Sequence, residues 1–179
     1  MPSPGEAATP TAPAPAPTAQ PRPFHLAVPV RDVAEARAFY GGALGLREGR
    51  SAATWVDFDF FGSQLVAHCV AGHRAATSQS AVDGDAVPVP HFGACLTVGE
   101  FGELAARLRG LAAAGPISEL GSDFKVKFEF KFEIEPHLRF VGQPGEQWTM
   151  FFRDPSGNAL EFKAMTRPEN LFAKYVVEA

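Results

Sequence analysis

From Phe124 to Glu135 the chain alternates strictly between apolar and charged side chains. Phe124, Val126, Phe128, Phe130, Phe132 and Ile134 fall on one face, and Lys125, Lys127, Glu129, Lys131, Glu133 and Glu135 on the other. A period of two predicts a half-buried strand, and the charges on its wet face oppose edge-to-edge association. Phe24–Val30, Trp55–Phe61, Gln64–Val70 and His91–Val98 also read as strands, with a further short one at Leu46–Ser51. Two stretches follow the helical period instead. Val33, Ala36, Tyr40 and Leu44 make one stripe, opened by Asp32 and Glu35 as a capping box and closed by Gly45. Phe101, Leu104, Ala105, Leu108 and Leu111 make the other, ended by Gly115-Pro116. Residues 71–89, rich in Ser, Gly and Asp, read as a loop.

The last strong pattern is Trp148–Lys163. An apolar run meets Asp154-Pro155-Ser156-Gly157, where Pro presets a turn and Gly takes a backbone angle that other residues avoid. The return strand carries Glu161 between Leu160 and Phe162, on the face shared by Ala159 and Lys163. A carboxylate in an apolar strand needs a reason, because an unpaired buried charge is costly. Either the strand is an exposed edge, or Glu161 is a metal ligand.

Element order runs strand, helix, strands, and then repeats. It predicts an α+β fold of two βαβββ modules, about 24–70 and 90–164, within a single domain at 24–164. Eight of the 16 prolines fall in residues 1–23, a Pro/Ala-rich stretch too poor in bulk to fold and expected to be a disordered tail. It has no apolar core of a secretory signal, and one Arg against one Glu makes a poor transit peptide. Residues 165–179 form a C-terminal extension, whose Asn170–Val177 has apolar surface enough to dock on its own domain or a partner.

Composition narrows the function classes. Net charge is −4 with no long basic run, which argues against nucleic acid. No apolar run is long enough to span a bilayer. Cys69 and Cys95 lie in apolar strand-like runs and read as buried free thiols of a reducing compartment, the cytoplasm by default.

Each module opens with a strand bearing a His near its start, His25 in PFHLAV and His91 in PHFGAC. On their own faces His25 neighbours Ala27, His91 neighbours Gly93, and Glu161 neighbours Ala159. Small neighbours leave space above each candidate ligand, where core packing would favour larger residues.

On FHLAVPVRDVAEARAFYGGALGL and MFFRDPSGNALEF, the chain resembles the vicinal oxygen chelate superfamily over about residues 24–164. That superfamily includes glyoxalase I, extradiol dioxygenases and bleomycin-resistance proteins. The resemblance implies paired βαβββ modules forming an open, cup-shaped mixed sheet, with helices outside, around one divalent metal. By motif position His25, His91 and Glu161 are the ligands, and homodimers are common in such folds.

The fourth ligand position bears on the reaction. Overlaying the two closing hairpins by Gly62 and Gly157 sets Val66 where Glu161 sits, whereas glyoxalase I-like isomerases carry Glu at both positions. Two His and one carboxylate are the set of non-haem Fe(II) oxygenases. The implied function is dioxygenation of a small substrate with vicinal oxygens, with Fe(II) favoured over Zn, Ni or Mn. The alternatives are glyoxalase-like isomerase or lyase action, a metal-free ligand-binding protein of the bleomycin-resistance type, and a structural or regulatory module that keeps the ligands by descent. Gln64 and His68 share Val66's face, so either is placed to reach the metal or its substrate. His68 is the candidate general base, and equally a half-buried strand His. His137 and Arg139 are candidates for substrate contact at the mouth, although Arg139 can equally pair with Glu135. His73, in the long loop, is expected to face solvent. One pair of modules, where many ring-cleaving enzymes carry two, is a departure from that class.

Overall fold

Four strands build the first sheet around one parallel contact. β1 (His25–Val30) pairs in parallel with β4 (Ser63–Cys69); β4 pairs antiparallel with β3 (Trp55–Phe60), and β3 with β2 (Arg47–Ala52). The computed structural model describes residues 22–116 and 128–174, so the N-terminal tail before residue 22, residues 117–127 and the last five residues lie outside it. The second sheet repeats the first. β7 (His91–Cys95) runs parallel to β10 (Ala159–Met165), followed by β9 (Gln147–Arg153) and β8 (Phe132–Arg139). Both sheets are open and mixed, as the repeated element order predicts.

The two sheets share one core. Val28, Val30, Phe58, Phe60 and Leu65 from the first meet Met150, Phe152, Leu160 and Phe162 from the second. Phe60 and Phe162 stand 6.0 Å apart between ring centroids. The helices α1 (Val33–Ala36) and α2 (Val98–Ala114) pack on these apolar faces, with Phe39 at 6.1 Å from Phe152 and Arg107 donating to the Gly42 carbonyl. By strand alternation, the residues between the core positions turn the other way. His25, Gln64, Asp57, His91, Thr149 and Glu161 are all of this second set.

Several local expectations are corrected. Asp32 caps α1 through the Glu35 amide at 2.8 Å, but Glu35 pairs with Arg31 rather than closing the box. The box forms at α2 instead, between Thr97 and Glu100. After Ala36 the first helix widens to π-type bonding over Arg37–Ala43, with the Leu44 amide reaching the Phe39 carbonyl at 2.9 Å. The widened turn lets the consecutive Ala38, Phe39 and Tyr40 all be buried. The long loop contains a hairpin, β5 (Gln79–Val82) and β6 (Asp85–Pro88), turned by Asp83-Gly84 with both residues at positive φ. The alternating stretch becomes strand only at Phe132 and continues to Arg139 through two register shifts; its residues 124–127 fall outside the described region. Cys69 and Cys95 are exposed: each is the last residue of its strand, Cys95 on the face away from the core and Cys69 beyond the last buried position of β4. His73 is half-buried, with Nε2 enclosed. Phe172, in the short 3-10 turn Pro168–Phe172, is 92% exposed, so this residue does not dock on its own domain.

Candidate metal centre

The second sheet joins two of the predicted ligands. Glu161 lies on β10 opposite Gly93 and Phe151, and His91 on β7 opposite Ala159. His91 Nε2 and Glu161 Oε2 are 3.3 Å apart. The other carboxylate oxygen, Oε1, accepts from Thr149 Oγ1 at 2.9 Å. Glu161 is 9% exposed, so its charge is held in a largely dry place. Gly93 makes this approach possible: a Cβ there would overlap the Glu161 carbonyl oxygen. Lys163, on the same face, brings its ammonium to 3.8 Å from Glu161 Oε2. Beside His91, a cavity of about 210 Å³ is lined by Leu26, Val28, Phe92, Arg153 and Asn158 among others.

His25 is held separately, on the first sheet. Its Nδ1–H donates to Gln64 Oε1 at 2.7 Å, and Gln64 Nε2 donates to Asp57 Oδ2 at 2.7 Å. Arg50 completes the row with bonds of 3.2 and 3.0 Å to the same oxygen. Burial pushes the Asp57 carboxyl up, but the bonds from Arg50 and Gln64 outweigh it and hold the group below the usual carboxylate range.

The two histidines are alike in one respect. His91 Nδ1–H donates to the Pro88 carbonyl at 2.6 Å. In both rings the Nδ1 proton is taken by a protein acceptor, so Nε2 is the nitrogen left with a free lone pair. Metal-binding imidazoles are held in this way, one nitrogen anchored and the other bare. With a carboxylate 3.3 Å from one of those nitrogens, the donor set fits a divalent ion of the transition series.

One chain does not gather all three ligands. Among the described residues, no three His, Cys, Asp or Glu side chains come together as a metal site. Asn158 donates to the Pro29 carbonyl at 2.8 Å, and Ser156 accepts from the Arg31 amide at 3.0 Å. The far end of β1 therefore lies against the start of β10, where Ala159 pairs with His91. His25 sits at the other end of β1, roughly 13 Å along the strand.

The remaining candidates have other duties. Val66 occupies the register position of Glu161: it pairs with Ala27 and Asp57, as Glu161 pairs with Gly93 and Phe151. Gln64 is engaged at both ends of its amide, by His25 and Asp57. His68 is exposed at the far end of β4, tilted against Trp55 with ring centroids 6.4 Å apart, and adjoins neither half-site. His137 and Arg139 both meet Asp85 at 3.1 Å and so hold the β5–β6 hairpin to the second sheet. Arg139 is 3% exposed and does not pair with Glu135. Asp57, Thr149 and Lys163 were not among the sequence-derived candidates. The signal for Lys163 was its shared face with Glu161; for Asp57 it was an acid alternating with apolar residues in WVDFDFF.

The metal-free His91–Glu161 pair predicts a pH dependence. The contact with Glu161 raises the imidazole above its ordinary 6.5, aided by the Pro88 carbonyl and opposed by burial. Burial pushes Glu161 up, but His91, Lys163 and Thr149 together hold it below its ordinary 4.5. The His91 contribution is complete below 6.5 and lost as pH rises through the raised value; the Glu161 contribution is present above 4.5 and lost as pH falls. The thermal midpoint of chelator-treated protein is expected to decline on the alkaline side, and His91→Gln to flatten that decline. An unchanged profile in His91→Gln would refute the pairing.

Residues 22–162 match the family model of the Glyoxalase/Bleomycin resistance protein/Dioxygenase superfamily. A solved glyoxalase/bleomycin resistance protein/dioxygenase from Alicyclobacillus acidocaldarius is 29% identical, with 84% of this chain and 96% of that one covered at a TM-score of 0.63. The fosfomycin resistance protein FosX of Listeria monocytogenes is 18% identical, with 82% and 95% covered at 0.53, a likeness of fold. No curated protein matches the chain.

Proposed function

Since the chain belongs to the glyoxalase/bleomycin resistance protein/dioxygenase superfamily, we propose that it is a divalent-metal-dependent enzyme whose His25, His91 and Glu161 hold one ion between two copies of the chain. The observation that carries the reading is the pair of imidazoles, each anchored through Nδ1, with Nε2 left for a metal at His25 and turned to the Glu161 carboxylate at His91. The metal-free binding protein is disfavoured, because it has no need of two such rings and a buried carboxylate.

The faces support a dimer. Both half-sites lie on sheet faces turned away from the shared core, and His25 is displaced along β1 from His91. The first sheet of one copy therefore completes the second sheet of another. Each dimer holds two such sites.

Dioxygenation of a small substrate with vicinal oxygens is the favoured chemistry. Val66 supplies no second carboxylate and Gln64 is already engaged, so three protein ligands leave positions for a bidentate substrate and dioxygen. That pattern suits Fe(II), which when bound would supply electrons to dioxygen and a Lewis acid to the substrate oxygens. Glu161 neutralises part of the ion's charge and His91 directs Nε2 toward it. Lys163 adds a positive charge where an anionic substrate oxygen docks.

Mixing two inactive variants tests both halves of the proposal. His25→Ala and Glu161→Ala are each expected to lack activity and to bind little metal. In a mixed dimer one site carries both lesions and the other carries neither. After unfolding and refolding together, about a quarter of wild-type sites should return, since half of the dimers are mixed and each has one intact site of two. No recovery would place all three ligands in one chain. Iron with oxygen uptake on catechols supports dioxygenation, and tight zinc or nickel without uptake supports isomerase or lyase action.

A further inference from the structure

His25 and His91 are anchored by chemically different acceptors. His91 uses a main-chain carbonyl, which cannot change places with a donor. His25 uses the side-chain amide of Gln64, which can. Turned by half a revolution, that amide would present NH2 to the ring. Nδ1 would then have to be the bare nitrogen, and the proton would move to Nε2. Such a ring cannot ligate through Nε2. Something must fix the amide's direction.

We propose that Asp57, through Gln64, sets the tautomer of His25 and so decides that Nε2 is the free nitrogen. The inference rests on the metal-site reading above, but its chemistry belongs to the metal-free protein. An ionised carboxylate only accepts hydrogen bonds, so the end of Gln64 facing Asp57 Oδ2 at 2.7 Å is its NH2. The oxygen end then faces His25, and Nδ1 must carry the proton. One residue comes from each of four strands, and the donors converge on Asp57 of β3: Arg50 of β2 from one side, and from the other Gln64 of β4, which in turn accepts from His25 of β1.

The surroundings keep Asp57 ionised and in place. It is 4% exposed, yet Arg50 gives it two hydrogen bonds, and the Arg50 guanidinium lies 5.8 Å over the Trp55 ring. The β2–β3 register shifts between Glu48 and Ser51, the stretch that carries Gly49 and Arg50. A Cβ at Gly49 would stand 3.6 Å from the Asp57 carboxylate, an ordinary contact, so this stretch of β2 lies directly against the acid. Bulges of this kind re-aim a side chain, here Arg50 onto Asp57. Asp57 touches neither metal nor substrate; it is a positioning residue.

The test reads the tautomer directly, by long-range proton–nitrogen NMR correlations of the imidazoles in metal-free protein above the His titration range. The His25 signals are assigned by their loss in His25→Gln. Wild type is expected to show the Nδ1–H form of His25. Asp57→Asn keeps the shape but offers its own NH2, so Gln64 is free to turn, and the Nε2–H form is expected to appear. Metal affinity is expected to fall about 10- to 100-fold in the same variant, the range seen when the partner of a ligating His is removed. The double variant Asp57→Asn/Gln64→Glu restores an acceptor-only group beside His25 and is expected to bring back the Nδ1–H form, which a merely misfolded protein would not do. Persistence of Nδ1–H in Asp57→Asn, or Nε2–H in wild type, overturns the inference. If the tautomer switches between wild type and Asp57→Asn but wild type binds no metal, the proposed function is overturned and this inference stands.

Discussion

Glu161→Ala is expected to abolish stoichiometric metal binding and to lower turnover by about a thousandfold or more, roughly 4 kcal/mol of transition-state stabilisation. Glu161 is the one anionic member of the proposed ligand set. Two neutral imidazoles cannot offset a divalent charge, and the site's burial magnifies each unbalanced charge. The variant also leaves the Thr149 hydroxyl without its acceptor and His91 without its partner. Glu161→Gln separates charge from shape, since its amide oxygen can still accept from Thr149. The Gln variant should therefore fold like wild type and still lose the metal. Elemental mass spectrometry after anaerobic purification gives the answer for each protein. Near-stoichiometric iron in the Ala variant would remove Glu161 from the ligand set.

The sequence made the second half-site legible and left the first half-understood, for a physical reason. Glu161 and His91 are found by local signals: a turn that fixes strand direction, a period of two that fixes the face, and small neighbours that leave space. Register then falls out of hairpin geometry, and the overlay that sets Val66 at the Glu161 position agrees with the strand pairing. What supports His25 has no local signal. Arg50, Asp57 and Gln64 lie on three different strands, and only pairing across the sheet brings them into a row. His68 shares a face with Gln64 but sits two rows along it, and periodicity cannot see that separation. Arg139 and His137 misled in another way. They do lie on the site's face of the second sheet, but Asp85 occupies them, and Asp85 comes from a hairpin whose Asp83-Gly84 turn signal was submerged in a polar loop. The spacing of the first helix also hid its π turn, because Val33, Ala36 and Tyr40 satisfy either winding.

The closing hairpin is held by one carboxylate, and its removal should be the costliest change to stability. Asp154 is 4% exposed and accepts four hydrogen bonds. Oδ1 takes the amides of Ser156 and Asn158 at 2.9 and 2.8 Å; Oδ2 takes Asn158 Nδ2 at 2.7 Å and the Tyr40 hydroxyl at 2.8 Å. The first three shape the turn that sets β9 against β10 and so places Glu161. The fourth reaches from the first module into the second, and Tyr40 is fully buried. Asp154→Ala would strand the buried Tyr40 hydroxyl and three part-buried donors of the turn, the buried one at about 1–3 kcal/mol and the others at less, so a loss of about 3 kcal/mol or more is expected in chemical denaturation. Tyr40→Phe removes a donor along with its need and should cost about 1 kcal/mol. In the Tyr40→Phe background, Asp154→Ala should still cost most of its original amount, because three of its four donors belong to the turn. Were the loss to shrink to the level of a surface substitution there, the carboxylate would matter only as the partner of Tyr40, and the turn would be holding β10 and Glu161 in register without it.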